Sequence, residues 1–324
     1  MPLDRQVEAW LEEAAASGVP PMNELPVDES RAIYNKLTVD CSPPPEPVAA
    51  VDERAVPGKY GDIPVRIYRP EGNPAFPVVV YYHGGGWVLG DLDFAHSTAT
   101  LIANRAHAVV VTVDYRLAPE HPFPAPVDDA YSALRWVLDN PALLDADVER
   151  VAVAGDSAGG NLAAVVALMA RNDPGPRPMH QLLLYPATDL AHDTESARAF
   201  ADGPFLTMDM MRWFRGHYLT GEADPADWRI SPLHAPDLRG APPAHVITAE
   251  YDLLRDEGEA YAARLREAGV PATVQRYDGQ IHGFAASFAG VFDGGRRAIE
   301  DAAWNLRNAF RAGWSPLGGR EEQR

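Results

Sequence analysis

The sequence predicts an α/β fold, a mostly parallel sheet with helices on both faces, and three observations carry that expectation. Strand-like and helix-like segments alternate along most of the 324 residues, the order a doubly wound sheet requires. The segments 77–82, 109–113 and 181–185 are unbroken apolar runs, as in strands covered by helices on both sides. Finally, the apolar run 150–154 leads through Gly155-Asp156-Ser157-Ala158-Gly159 into the helix-like stretch 161–169, a buried strand turning abruptly into a helix.

Taken in order, the elements begin with a helix from Asp4 to Ser17, where Val7, Trp10, Leu11 and Ala14 recur at spacings of three and four against an acidic opposite side. A second helix is expected from Val27 to Leu37. The proline-rich Cys41-Ser42-Pro43-Pro44-Pro45-Glu46-Pro47 cannot continue it and marks a boundary, so residues 1–45 read as an appendage. Strands are then expected at 49–55, 63–69, 77–82, 108–114, 150–154, 180–185, 244–249 and 272–277, with helices mainly between the later ones. The first two strands alternate polar and apolar residues and suit an antiparallel edge. From 188 to 234 a short connection is replaced by an insertion whose helical segment 208–219 is rich in Met and aromatic residues. It reads as an apolar cap over a site, with core packing as the alternative. The catalytic domain is then 46–187 with 235–315, and the tail 316–324 is expected to be disordered.

The chemistry is concentrated in a few short motifs. At a strand-to-helix elbow a serine is forced into strained torsions and its hydroxyl is pushed outward, and small residues at 155 and 159 are needed because larger ones would crowd the backbone. A serine hydroxyl needs a base, and the base needs a carboxylate to orient it; in this kind of sheet both follow the serine in the chain, on loops after later strands. Strand 244–249 runs towards Asp252 and strand 272–277 towards His282, which makes Ser157, Asp252 and His282 the catalytic candidates. Asp256 and Glu250 are the rival acids, and Asp278 lies too close in sequence to His282 to orient it. The earlier His83-Gly84-Gly85-Gly86 has amides that a substrate oxygen can approach closely. With the amide of Ala158 at a helix start, Gly84, Gly85 and Gly86 are the candidates for stabilising an oxyanion, Gly85, Gly86 and Ala158 being favoured.

Composition excludes other classes. The net charge of −18, from 28 basic and 46 acidic residues, repels nucleic-acid backbones and anionic lipid, so neither nucleic acid nor membrane is an expected partner. No apolar run reaches the roughly 20 residues of a bilayer span, and the amino-terminal residues do not follow the order of a secretion signal, so a cytoplasmic location is expected. With Cys41 the only cysteine, no intrachain disulfide or cysteine cluster can form. His-Glu-x-x-His is absent, no set of histidines and carboxylates stands at ligand spacing, and the lysine of a phosphate-binding loop is missing after Gly155. No metal and no cofactor are therefore expected.

Tyr82-His83-Gly84-Gly85-Gly86-Trp87, Asp114-Tyr115-Arg116-Leu117-Ala118-Pro119-Glu120, Gly155-Asp156-Ser157-Ala158-Gly159-Gly160-Asn161, Tyr251-Asp252-Leu253-Leu254-Arg255-Asp256 and Ile281-His282-Gly283-Phe284 together resemble the bacterial hormone-sensitive lipase-like carboxylesterases of the α/β-hydrolase fold. The resemblance spans nearly the whole chain. It implies an eight-stranded sheet, a cap made of the amino-terminal helices and the insertion, the triad Ser157, Asp252 and His282, and no cofactor. It further implies hydrolysis of short- to medium-chain carboxylic esters through a serine acyl-enzyme, with amides, carbamates or lactones as alternative substrates of the same fold. A non-catalytic binder, as in the plant gibberellin receptors that resemble this family but lack the histidine, is disfavoured by His282. Trp87, Tyr185, Phe205, Leu206, Trp213 and Phe214 are candidates for the substrate pocket, and since dimers are common in the family the resemblance allows a homodimer, which no residue of the sequence proves.

Overall fold

The apolar runs resolve into eight strands of one sheet: β1 Ala50–Gly58, β2 Gly61–Arg69, β3 Phe76–Tyr82, β4 Val109–Val113, β5 Ala146–Asp156, β6 His180–Leu184, β7 Ala244–Tyr251 and β8 Ala272–Ile281. The computed structural model describes residues 2–221 and 223–312, so the expected disordered tail at 316–324 lies outside them. The spatial order is β1-β2-β4-β3-β5-β6-β7-β8. β1 and β2 form a hairpin closed by the pair Gly58 and Gly61, β2 also runs antiparallel to β4, and every other pairing is parallel. The alternating strands thus form the antiparallel edge, and the continuous apolar runs β3, β4 and β6, buried at every residue, lie inside the sheet. β8 runs four residues past its expected end, to Ile281, and delivers the chain directly to His282.

The helices are α1 Arg5–Ala16, α2 Val27–Cys41, α3 His96–Ala106, α4 Ala125–Asp139, α5 Pro141–Leu144, α6 Ala158–Ala170, α7 Glu195–Ala199, α8 Met208–Tyr218, α9 Arg255–Glu267 and α10 Asp293–Ala312. α3 packs on α10 and α4 on α6, covering the two sheet faces. Apart from Asn161, α6 carries no polar side chain because it sits within the core, with only Met169 less than buried. α1 starts where the Asp4 carboxylate accepts the Gln6 amide at 2.8 Å. α2 outlasts its expected end by one turn and stops where Ser42 precedes Pro43.

Within 188–234, α7 and α8 are each opened by a threonine cap, Thr194 Oγ1 accepting the Ala197 amide and Thr207 Oγ1 the Met210 amide. α8 lies against the 3-10 turn Met22–Glu24 that precedes α2, and Trp10 of α1 meets Phe205 edge-on at 5.9 Å. The amino-terminal segment and the insertion therefore touch each other. Among the described residues, no helix is long and apolar enough to cross a membrane.

Candidate active site

Ser157 sits between β5 and α6 with φ 54° and ψ −117°, a conformation that strains any side-chain-bearing residue. The turn is tight enough that a Cβ on Gly155 would stand 2.6 Å from Tyr82 O, and one on Gly159 would collide with the same carbonyl. The surrounding backbone is tied down: Ser157 N–H donates to Leu184 O at 2.9 Å, and Ser157 O accepts the Ala187 amide at 3.2 Å. Asn161 on the next helix donates to Ala187 O and Ile230 O, both at 2.8 Å.

The loops after β7 and β8 bring the other two groups to the hydroxyl. His282 Nε2 lies 2.9 Å from Ser157 Oγ, and His282 Nδ1 lies 2.7 Å from Asp252 Oδ2. Asp252 is buried, and its other oxygen accepts the Leu254 amide at 2.9 Å, which fixes the carboxylate plane. The rival acids are engaged elsewhere. Asp256 accepts the Ser196 amide at 2.7 Å and pairs with Arg255, while Glu250 accepts the Gly279 amide at 2.7 Å.

Of the glycine-loop amides, Gly84 N–H is already donated to Asp156 Oδ1 at 2.9 Å, so the expectation that Gly84 contributes to the oxyanion hole is corrected: it anchors the loop instead. Gly85 (φ 109°) and Gly86 (φ 61°) adopt backbone that favours glycine, and among the described residues neither their amides nor that of Ala158 donates to a protein acceptor. All three border the cavity above Ser157. Asp156 is fully buried and also accepts the Tyr81 hydroxyl at 2.8 Å. Burial pushes its pKa up to about 6, with the Tyr81 and Gly84 hydrogen bonds and the nearby His282 pulling the other way.

The small cavity at the hydroxyl, about 30 Å³, is walled by Trp87, Phe205, Leu206 and Phe214. Tyr185 and Trp213 do not line it. Tyr185 lies edge-on to the His282 ring at 4.9 Å and its hydroxyl accepts the Ala286 amide, so it backs the imidazole from behind. Trp213 turns to His217 on the outer side of α8, at 4.7 Å. Sequence reading missed Tyr34, Met210, Met211 and Leu254, which complete the wall. Phe205 and Met210 also border a larger groove of about 740 Å³ that opens between α1, α2 and α8. Away from this cavity, Asp189, His192 and His234 come together within ligand reach, a set that their sequence spacing had not suggested.

Comparison with known proteins finds relatives that match most of the chain. The family described as alpha/beta hydrolase fold matches residues 79–286. The carboxylesterase NlhH of Mycobacterium tuberculosis is 46% identical over 295 residues, covering 88% of this chain and 90% of that protein. The carboxylic ester hydrolase LipN of the same organism is 43% identical, over 88% of this chain and 78% of its own. Among solved structures, the hyperthermophilic esterase of Pyrobaculum calidifontis superposes with a TM-score of 0.90 at 43% identity, covering 95% and 99% of the two chains. The ester-hydrolase EH1AB1 from the Lake Arreo metagenome superposes with a TM-score of 0.92 at 42% identity, with the same coverage.

Proposed function

We propose that this chain, which belongs to the hormone-sensitive lipase-like branch of the α/β-hydrolase family and is a carboxylic ester hydrolase, splits its ester through a covalent acyl intermediate on Ser157. Ser157 Oγ attacks the ester carbonyl as its proton passes to His282 Nε2, and Asp252 holds the ring and offsets the imidazolium charge. The oxyanion is met by the amides of Gly85, Gly86 and Ala158. Collapse expels the alcohol, which takes the proton from His282; a water, deprotonated by the same nitrogen, then releases the acid and restores the hydroxyl. No step needs a second copy of the chain, because every group named comes from one. The amino-terminal helices and the 188–234 insertion act as the cap, and the apolar wall they supply favours short- to medium-chain acyl groups over water and over charged substrates. The reading extends to a cytoplasmic enzyme, in keeping with a single, buried, unpaired cysteine.

The observation that carries this reading is the unbroken chain Asp252–His282–Ser157, with contacts of 2.7 and 2.9 Å. Ser157→Ala tests it. The variant is expected to fold, to lose labelling by a fluorophosphonate and to lose turnover of p-nitrophenyl butyrate; hydrolysis at the wild-type rate in that variant would place the nucleophile elsewhere.

A further inference from the structure

Behind the wall of the catalytic cavity, the fold gathers three side chains from the two ends of the insertion. Asp189 and His192 lie where the chain leaves β6 for the insertion, and His234 lies where it returns, on the 3-10 turn Pro232–His234. Asp189 is buried. Its Oδ1 is 2.8 Å from His234 Nε2, its Oδ2 is 3.4 Å from His192 Nδ1, and the two imidazole rings stand 5.1 Å apart. One ligand atom from each residue falls within 4.8 Å of the others.

We propose that Asp189, His192 and His234 bind one divalent transition-metal ion, Zn²⁺ by preference, that fastens the two ends of the insertion together. Two imidazole nitrogens and a carboxylate oxygen suit zinc, whereas Mg²⁺ and Ca²⁺ take oxygen ligands. Tetrahedral zinc with bonds of about 2.1 Å spaces its ligand atoms about 3.4 Å apart. Asp189 Oδ2 already stands at that distance from His192 Nδ1, and the ligand atoms of the three residues lie within 4.8 Å of one another, so small side-chain movements bring them onto one ion as zinc replaces the proton between Asp189 Oδ1 and His234 Nε2. The carboxylate is held in place: Asp189 Oδ1 accepts the Ala191 and His192 amides, while the amides of Thr188 and Asp189 are both taken by the buried Glu257 Oε1, at 2.6 and 3.1 Å. His192 is exposed, which gives the ion an entry path and leaves one ligand free to settle. Asp189 and His192 border a cavity of about 60 Å³ with room for a water as the fourth ligand. Asp193 beside it favours a cation, Arg212 and Arg215 oppose it, and Arg212 is already paired with Asp209. Met211 and Leu254 line both this cavity and the catalytic one, so the ion sits beyond them and is structural, with no part in the ester chemistry.

The test titrates the full chain, stripped with a chelator and dialysed, with ZnCl₂ against a chromogenic zinc indicator and in thermal melts. One saturable site of micromolar or tighter affinity is expected, with a rise in Tm of about 3–5 °C at saturating zinc. Mg²⁺ and Ca²⁺ at the same concentration should give neither signal, and the stripped chain should keep its ester hydrolysis. His192→Ala, an exposed change that the fold tolerates, and His234→Ala should each weaken zinc binding at least tenfold. Absence of a saturable site, or wild-type affinity in His192→Ala, would overturn the proposal and leave the cluster as a hydrogen-bonded latch.

Discussion

The floor and the roof of the cavity at Ser157 are built by opposite means. The floor is polar, buried and over-determined: Asp252 holds His282, Tyr185 backs the ring, Asp156 anchors Gly84, and Leu184 and Ala187 clamp the serine backbone. The roof is apolar and assembled from separate pieces, with Tyr34 from α2, Phe205 and Leu206 from the loop before α8, and Met210, Met211 and Phe214 from α8 itself. Charge that develops in a transition state is stabilised only by donors already in position, so the floor cannot give by even an ångström. A roof that excludes water and matches shape can be filled in many ways. Damage to the floor should therefore appear as lost rate, and damage to the roof as altered substrate preference.

The contrast is sharpest at Asp252. Asp252→Asn removes the acceptor that selects the His282 tautomer and offsets its charge, and kcat should fall about 10³–10⁴-fold. Asp256→Asn, four residues away but committed to Ser196 and Arg255, should cost less than about tenfold. Steady-state kinetics on p-nitrophenyl butyrate compare the two directly, and the opposite ranking would mean that the wrong acid has been assigned.

Asp156 belongs to the floor without touching the substrate. Asp156→Ala strands the buried Gly84 amide and Tyr81 hydroxyl, and the loosened loop should lower kcat/KM about 10–100-fold; Asp156→Asn keeps an acceptor and should lose less. Because burial raises this carboxyl from 3.8 to about 6, it holds its proton more tightly folded than unfolded, and ionising it costs stability as the pH rises from about 4 through 6. The Asn variant escapes that cost. Relative to the wild type it should gain up to about 3 kcal/mol between pH 4 and pH 7 in urea unfolding. A difference that stays flat with pH would mean that the carboxylate is solvated in the folded state.

The same division explains what could be read from the sequence. The floor comes from short motifs at element ends, where a Gly-x-Ser-x-Gly elbow or an acid just past an apolar strand has a local mechanical cause, so the meeting of Ser157, Asp252 and His282 was legible. Gly84 was misjudged because its amide is claimed by Asp156, seventy-two residues away in the chain, a pairing that the linear order does not reveal. Tyr34, Met210, Met211 and Leu254 carry no local signal, since a Met or Tyr on an amphipathic helix looks the same whether it meets core or cavity. Tyr185 and Trp213 show the converse: aromatic type suggested a pocket, but backbone direction turned one beneath the base and the other outward. Asp189 and His234, forty-five residues apart, escaped for the same reason.

The mildest change should come from the roof at Phe205. This residue holds φ 69°, packs edge-on to Trp10 and Phe288, and with Met210 separates the small cavity at Ser157 from the groove of about 740 Å³ outside. Phe205→Ala removes most of that partition without touching a hydrogen bond of the floor. The kcat for p-nitrophenyl acetate should therefore stay within about threefold of wild type, because the oxyanion donors and the base are unmoved. An octanoyl chain, however, gains a path into the groove, and each buried methylene is worth about 0.8 kcal/mol. Two or three more of them sheltered should raise the ratio of octanoate to acetate kcat/KM by roughly tenfold or more. Met210→Ala, which opens the same wall from α8, should move the ratio in the same direction. If neither variant shifts it while both fold, the groove is not continuous with the acyl site and chain length is set by Leu206, Phe214 and Tyr34 instead. If acetate turnover collapses with the ratio unchanged, Phe205 is holding the floor, and the separation of the two regions fails.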